Sequence, residues 1–276
     1  MLAWGAMNPL TANEANTLTT EISTPRRSAV VLCGSGRFAD AWHPFSRTSA
    51  CLAEIIDAAG FEVEIASVDD RMADLADAEL VAVNIGAPSI PDCRLDESGR
   101  AGLLRYLGRG GPLLVMHVSA TSFPAIPEWE TIIGGIWVRG TTMHPDYGPS
   151  QIRVRSGVHP IVEKVSDFTL TDERYSYLRV ADDLTILATH THEAIEHPIL
   201  WAHTYQSPAR ERTSTAAQAS ASRGGSADAP PARVVYDALG HDQRSYESPE
   251  HKEIIAASVR WLACSENPSL TGELPR

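Results

Sequence analysis

Four short apolar runs, separated by amphipathic stretches, set the plan of the first half of the chain. The run Ala29-Val-Val-Leu-Cys33 is largely β-branched and leads into Gly34-Ser-Gly36, the pattern of a buried strand entering a loop. Leu52, Ile55, Ile56 and Ala59 then recur at helical spacing, and Gly60 stands where a left-handed terminating residue is needed. Residues 61–65 alternate Phe-Glu-Val-Glu-Ile, which predicts a half-buried strand near a sheet edge, whereas 80–85 are apolar almost throughout and predict a strand covered on both faces. A second helix, with Leu103, Leu104 and Leu107 inward, ends in the glycines of 108–111 and delivers the chain into Pro112-Leu-Leu-Val-Met-His117. Strand and helix alternating in this order is the rhythm of a doubly wound parallel sheet, an α/β fold.

Beyond His117 the pattern loosens. A short helix is expected over 127–133 and strands over 151–155, 167–170, 184–189, 198–203 and 233–238. The last helix is better marked: Ser248 at the N-cap, Pro249 at the first helical position, then Ile254, Ile255, Ser258, Val259 and Leu262 on one face. Between 207 and 232 the sequence turns to Ala, Ser, Pro, Arg and Gly without apolar periodicity, so a flexible insertion is expected there. One domain over 28–265 follows, flanked by a disordered tail at 1–27 and a C-terminal tail at 266–276.

Composition narrows the classes of partner. The 276 residues are 43% hydrophobic and 21% charged, enough to bury a large core. A formal charge of -12 argues against binding to phosphate backbones or anionic membranes, which clustered Lys and Arg would supply. Cys33, Cys51, Cys93 and Cys264 form no Cys-x-x-Cys pair, and no signal-like or membrane-length apolar segment appears, so a reduced, cytoplasmic setting is expected. Acidity leaves open whether the chain forms a homo-oligomer.

Candidate chemistry gathers where strands give way to loops. In a parallel sheet the carboxyl ends of the strands carry the ligand crevice, which places His117 and His241, the latter in Val234-Val-Tyr-Asp-Ala-Leu-Gly-His-Asp242, at the lip of a site. His43-Pro44 and His144-Pro145 are imidazoles in proline-stiffened loops, and Asp172-Glu-Arg-Tyr175 follows a predicted strand with a carboxylate suited to general base or metal ligand. His190-Thr-His192 has a spacing that suits zinc or copper, without a recognisable third ligand. A Gly-x-Ser-x-Gly elbow is missing around Ser119, and the glycines at 34 and 36 complete no phosphate loop, so no nucleotide cofactor is expected.

Taken in order, these motifs resemble the ThuA-like (trehalose utilisation) family: Gly34-Ser-Gly-Arg-Phe-Ala-Asp-Ala-Trp-His-Pro44, Met116-His117-Val-Ser-Ala120, Ile133-Gly-Gly-Ile-Trp137, His144-Pro145, Val158-His-Pro-Ile161, Asp172-Glu-Arg-Tyr175, Pro198-Ile-Leu-Trp201 and Arg233 to Asp242. The resemblance runs from about Ala29 to Leu262. It implies a three-layer, flavodoxin-like fold of the class I glutamine-amidotransferase-like kind, with His117 where amidotransferases carry their cysteine. It also implies a sugar-processing protein, associated with disaccharide catabolism in which a partner dehydrogenase makes 3-keto sugars. The insertion at 207–232 departs from the short turn usual in that family.

A ketone on a sugar ring acidifies the neighbouring C–H, which matches acid/base chemistry by His117 and Glu173 with His241 as electrophilic partner. His43, His144, Tyr175 and Asp242 are then expected to contact sugar hydroxyls or to belong to a metal site. Trp42, Trp137 and Trp201 offer an apolar platform to a sugar face. A divalent metal ion is compatible with several imidazoles and a carboxylate meeting at one place. One other reading stays open, a non-catalytic sugar-binding or regulatory protein; a glutamine amidotransferase or hydrolase using Cys33 or Cys51 fails on placement, since neither follows the strand that ends at His117.

Overall fold

The first apolar run becomes strand β1 (Arg27–Cys33), buried from Ala29 onward. The computed structural model describes residues 26–207 and 230–264, so most of the expected tails and insertion lie outside the described residues. Two expected boundaries move. Arg27, assigned above to the tail, is already in β1 and pairs with Glu79 at 2.7 Å, while Ala232, assigned to the insertion, opens the last strand.

In chain order, β1 is followed by α1 (Phe45–Ala58), β2 (Phe61–Ser67), α2 (Val68–Arg71), β3 (Leu80–Asn84), α3 (Cys93–Leu107), β4 (Leu113–Met116), α4 (Trp129–Ile133), β5 (Gly135–Ile136), β6 (Gly148–Val154), β7 (Phe168–Asp172), β8 (Arg179–Val180), β9 (Thr185–His192), β10 (Ile195–Tyr205), β11 (Ala232–Asp237) and α5 (Pro249–Ala263). Nine of these strands form one sheet in the order β2-β1-β3-β4-β11-β10-β9-β6-β7. From β2 to β11 every pairing is parallel, and β2 lies at the edge as its alternation requires. From β10 to β7 every pairing is antiparallel, so the sheet is parallel in one half only.

The chain moves outward from β1 to β2 and then back past β1 to β3. Right-handed crossovers therefore put α1 on one face of the sheet and α2 and α3 on the other. Accordingly α1 packs on β1 and β2 and touches α5, which lies on β4 and β11, while α2 packs with α3. Leu52 and Ile56 of α1, Leu103 and Leu107 of α3, and Ile254, Ile255 and Val259 of α5 are buried. Ser248 caps α5 by accepting the amide of His251, ahead of Pro249.

The antiparallel half does not continue as a flat sheet. Three strands separate β7 from β11, yet the Asp172 carboxylate at the end of β7 accepts the amides of Gly240 (2.8 Å) and His241 (3.2 Å) just past β11. The extension must curl back over the carboxyl end of the parallel half. Gly240, at φ +117°, is in a backbone conformation that side chains disfavour, and its amide is what Asp172 holds. No helix among the described residues is long and apolar enough to cross a membrane.

Candidate active site

Three loops of the parallel half and one of the antiparallel half bring their side chains to a single point. His43 follows β1, His117 follows β4, His241 follows β11 and Glu173 follows β7. One ligating atom from each lies within 4.8 Å of all the others.

His117 is the deepest of the four, 1% exposed, and its backbone is left-handed at φ +46°. That conformation costs a residue with a β-carbon, and three bonds hold it in place. The Tyr236 hydroxyl donates to the His117 carbonyl (2.8 Å), Ser119 ties the following turn to β3 by accepting the Ile85 amide (3.0 Å), and Trp129 donates to the Ser119 carbonyl (3.0 Å). The ring is fixed as well: Nδ1–H donates to the Ala238 carbonyl at 2.7 Å, which turns Nε2 toward the cluster, where the Tyr175 hydroxyl stands 3.0 Å away.

His43 is held by Asp40. The carboxylate accepts the amides of Trp42 and His43, both at 2.9 Å, and the His43 Nδ1–H at 2.8 Å, so its Nε2 is turned inward without a hydrogen-bond partner. Burial, helped by the neighbouring His117, lowers His43 to about 4 and keeps it neutral at neutral pH.

Glu173 touches three imidazoles: His117 Nε2 and His241 Nδ1 at 3.3 Å each, and His144 Nε2 at 3.5 Å. Burial opposes its charge, but His117 and His241 outweigh burial and hold the carboxyl well below the usual range. Conversely, burial lowers His241 while Glu173, with Asp172 and Asp242 behind it, raises it above its ordinary value. The cluster thus favours a carboxylate beside a charged His241.

The remaining expected residues fall into distinct places. His144 lies at the exposed rim. Tyr175 is buried, stacked on the His117 ring at 4.5 Å, and spends its hydroxyl there rather than in an open cleft. Asp242 accepts the Tyr147 hydroxyl (2.9 Å) and the Arg244 amide (2.8 Å), so it shapes its own turn and positions a tyrosine against the His241 ring.

A cleft of about 820 Å³ opens beside the cluster, lined among others by Asp40, Trp42, His43, Glu130, Trp137 and Arg139. Trp42 is 75% exposed there, and Trp137 packs edge-on to Tyr175. Trp201, expected as a platform, is instead wholly buried with its indole N–H on the Ile133 carbonyl (2.7 Å), a core role. Among the described residues no third ligand converges with His190 and His192. His190 is buried and donates Nε2–H to the Tyr175 carbonyl (2.9 Å), so it supports the loop carrying Glu173.

Cys33 ends β1 and Cys51 sits within α1, neither at the turn after β4 that His117 occupies. Asp40 and Asp172 were not singled out as site residues from sequence. Asp40 had a readable signal, an aspartate three residues before a histidine in a loop, which is the spacing of a side chain closing its own turn. Asp172 had none, because its partners lie 68 and 69 residues away.

The fold belongs to a recognisable class. Residues 31–262 match the family model ThuA, described as trehalose utilisation, and the chain belongs to that family. Among solved structures, a protein described as ThuA-like from Parabacteroides merdae superposes with TM-score 0.64 at 17% identity, covering 87% of this chain and 90% of that one. Another described in the same way, from Bacteroides uniformis, gives 0.61 at 14% identity over 92% and 95%. A glutamine amidotransferase from Thermotoga maritima aligns at 0.48 and 8% identity, over 87% of this chain and 99% of that one. No curated protein matches the chain.

Proposed function

We propose that this protein is an enzyme of sugar utilisation that takes a proton from the carbon beside the carbonyl of an oxidised glycoside or disaccharide. The observation that carries the reading is the Glu173 carboxylate, held charged between His117 and His241 next to a cleft faced by Trp42 and Trp137. Glu173 stands deprotonated, the form in which a base must start, and its low proton affinity suits handing the proton on at once to His117. A charged His241 3.3 Å from it is ready to donate to the oxygen on which negative charge develops. His117, with Nδ1 fixed on a carbonyl and Nε2 facing Glu173, is placed to pass the proton on. Trp42 and Trp137 supply apolar faces of the kind sugars stack on, and the cleft lies within the ordinary size range for small-molecule sites, about 300–1,000 Å³.

Family membership supports the substrate class, and the carbonyl requirement comes from the chemistry: without one, no sugar C–H is acidic enough for a carboxylate to remove. In cells the substrate would come from a sugar dehydrogenase, which produces such a carbonyl.

Turnover of 3-keto glucosides and 3-keto disaccharides by the purified protein tests the reading. His117→Asn is expected to bind these sugars within a few-fold of the wild type while kcat falls by about 10²–10⁴, the range for removing one acid/base group. Tight binding with no turnover by either protein would instead make this a carbohydrate-binding protein.

A further inference from the structure

We propose that His43, His117 and His241 hold a divalent transition-metal ion of the zinc type, with the Glu173 carboxylate as a fourth donor. Among the described residues this is the only group of three or more His, Cys, Asp or Glu side chains whose ligating atoms converge. The inference stands on geometry and not on the sugar reading.

Three observations carry it. First, the imidazole rings are spaced as ligands are. Their centroids lie 5.1 Å (His43 to His117), 4.9 Å (His43 to His241) and 5.5 Å (His117 to His241) apart, tilted by 64°, 68° and 79°. Three imidazoles on a tetrahedral ion at about 2.0–2.1 Å from nitrogen put their centroids about 5 Å apart.

Second, the contacts of Glu173 are too long for the hydrogen bonds they would otherwise be. A charge-assisted bond is about 2.7–2.9 Å, whereas both contacts are 3.3 Å. They are made by different oxygens, Oε2 toward His117 and Oε1 toward His241, and each is close to the separation of two donors on a tetrahedral ion of that size, about 3.3 Å.

Third, the protons point outward. Asp40 takes the Nδ1–H of His43 and the Ala238 carbonyl that of His117, an outer layer of acceptors that fixes the tautomer a metal requires. The inward Nε2 of His43 and Nδ1 of His241 are buried and make no hydrogen bond, the latter having only its 3.3 Å contact with Glu173. Leaving such atoms unsatisfied is costly, and an ion satisfies both. The one competitor is the Tyr175 hydroxyl on His117 Nε2, which must release that lone pair.

Imidazole and carboxylate without thiolate suit zinc, manganese, iron, cobalt or nickel rather than calcium or magnesium, which prefer all-oxygen sites. If the sugar reading also holds, the ion takes over the electrophilic role given above to His241. A substrate oxygen would then displace Glu173, leaving the carboxylate beside the bound carbonyl as base.

The test uses the full chain, stripped with chelator and dialysed, then titrated with Zn²⁺ by calorimetry and with Co²⁺ by visible absorption. One ion per chain is expected, with the Co²⁺ bands of a four- or five-coordinate site. His43→Ala should weaken binding at least 100-fold, and Asp40→Asn, which keeps every ligand and removes only the outer acceptor, 10- to 100-fold. Asp40→Asn also keeps the test decisive should His43→Ala fail to fold. His192→Ala should bind as the wild type does, and Tyr175→Phe, which removes the competing hydroxyl, should bind at least as tightly. Uptake well below one ion per chain, binding indifferent to both His43→Ala and Asp40→Asn, or binding lost in His192→Ala would overturn the proposal. An ion bound as described by a protein inert toward 3-keto sugars would overturn only the sugar reading.

Discussion

The two halves of the sheet differ in what holds them, and the site is built on that difference. The parallel half is held by continuous apolar strands between helices: Val81, Val83, Leu113, Val115, Val234 and Val235 are fully buried. Beyond the β10–β11 ladder, the antiparallel half is tied onto it by polar groups acting at long range, chiefly Asp172 on the Gly240 and His241 amides and Tyr147 on Asp242. The parallel half supplies three imidazoles, and the antiparallel half supplies the one carboxylate among them. A site divided this way exists only while the curl is docked.

Asp172→Ala is the most direct way to break that docking. It strips the acceptor from the amides of Glu173, Gly240 and His241, all with little access to water. At about 1–3 kcal/mol for each buried donor left unpaired, a loss of about 5 kcal/mol is expected in urea unfolding, together with loss of sugar binding.

His251→Ala is the matching change in the parallel half. His251 Nδ1 faces the Ser245 hydroxyl and carbonyl and Nε2 faces Asp237 Oδ2, at 3.0 Å each, so the ring is tied to a buried carboxylate. Breaking the pair should cost about 3 kcal/mol, yet leave the affinity of whatever protein remains folded within a few-fold of the wild type. If the two variants lose affinity equally, the division between the halves is wrong.

Acidity should separate the halves more gently. Burial lowers His159 and His190, both in the antiparallel half, to about 4 from 6.5. A depressed histidine stabilises the fold above the unfolded value and loses that contribution as pH falls from 6.5 toward 4. For His251, burial lowers the ring but Asp237 outweighs it, and the net value is raised. Its contribution is complete below 6.5 and is lost as pH rises through the folded value. Urea midpoints at fixed ionic strength should therefore fall below pH 6.5, and His159→Gln should flatten that limb without changing the alkaline one.

The same division decided what was legible in the sequence. Elements of the parallel half announce themselves locally, through apolar runs such as 80–85, the Gly60 terminator and the Ser248-Pro249 cap, and the positions of His117 and His241 at strand ends follow from them. The short strands β5 and β8 and the four-residue α2 carry no such periodicity and were not foreseen. Nor was the curl, because what fixes it is a carboxylate binding backbone amides nearly 70 residues away. Trp201 shows the converse limit: residue type suggested a sugar platform, but only the fold shows its indole N–H satisfied inside the core.

Exchange of the hydrogen beside the ketone tests the central claim most directly. In deuterated water, with a 3-keto glucoside followed by proton NMR, the wild type should replace the C–H neighbouring the carbonyl by deuterium far faster than buffer alone. Glu173→Gln and His117→Asn should each slow that exchange at least 100-fold while still binding the sugar. A wild-type protein that binds the keto sugar and leaves that hydrogen at its solution rate, or a Glu173→Gln variant that exchanges it undiminished, would contradict the account.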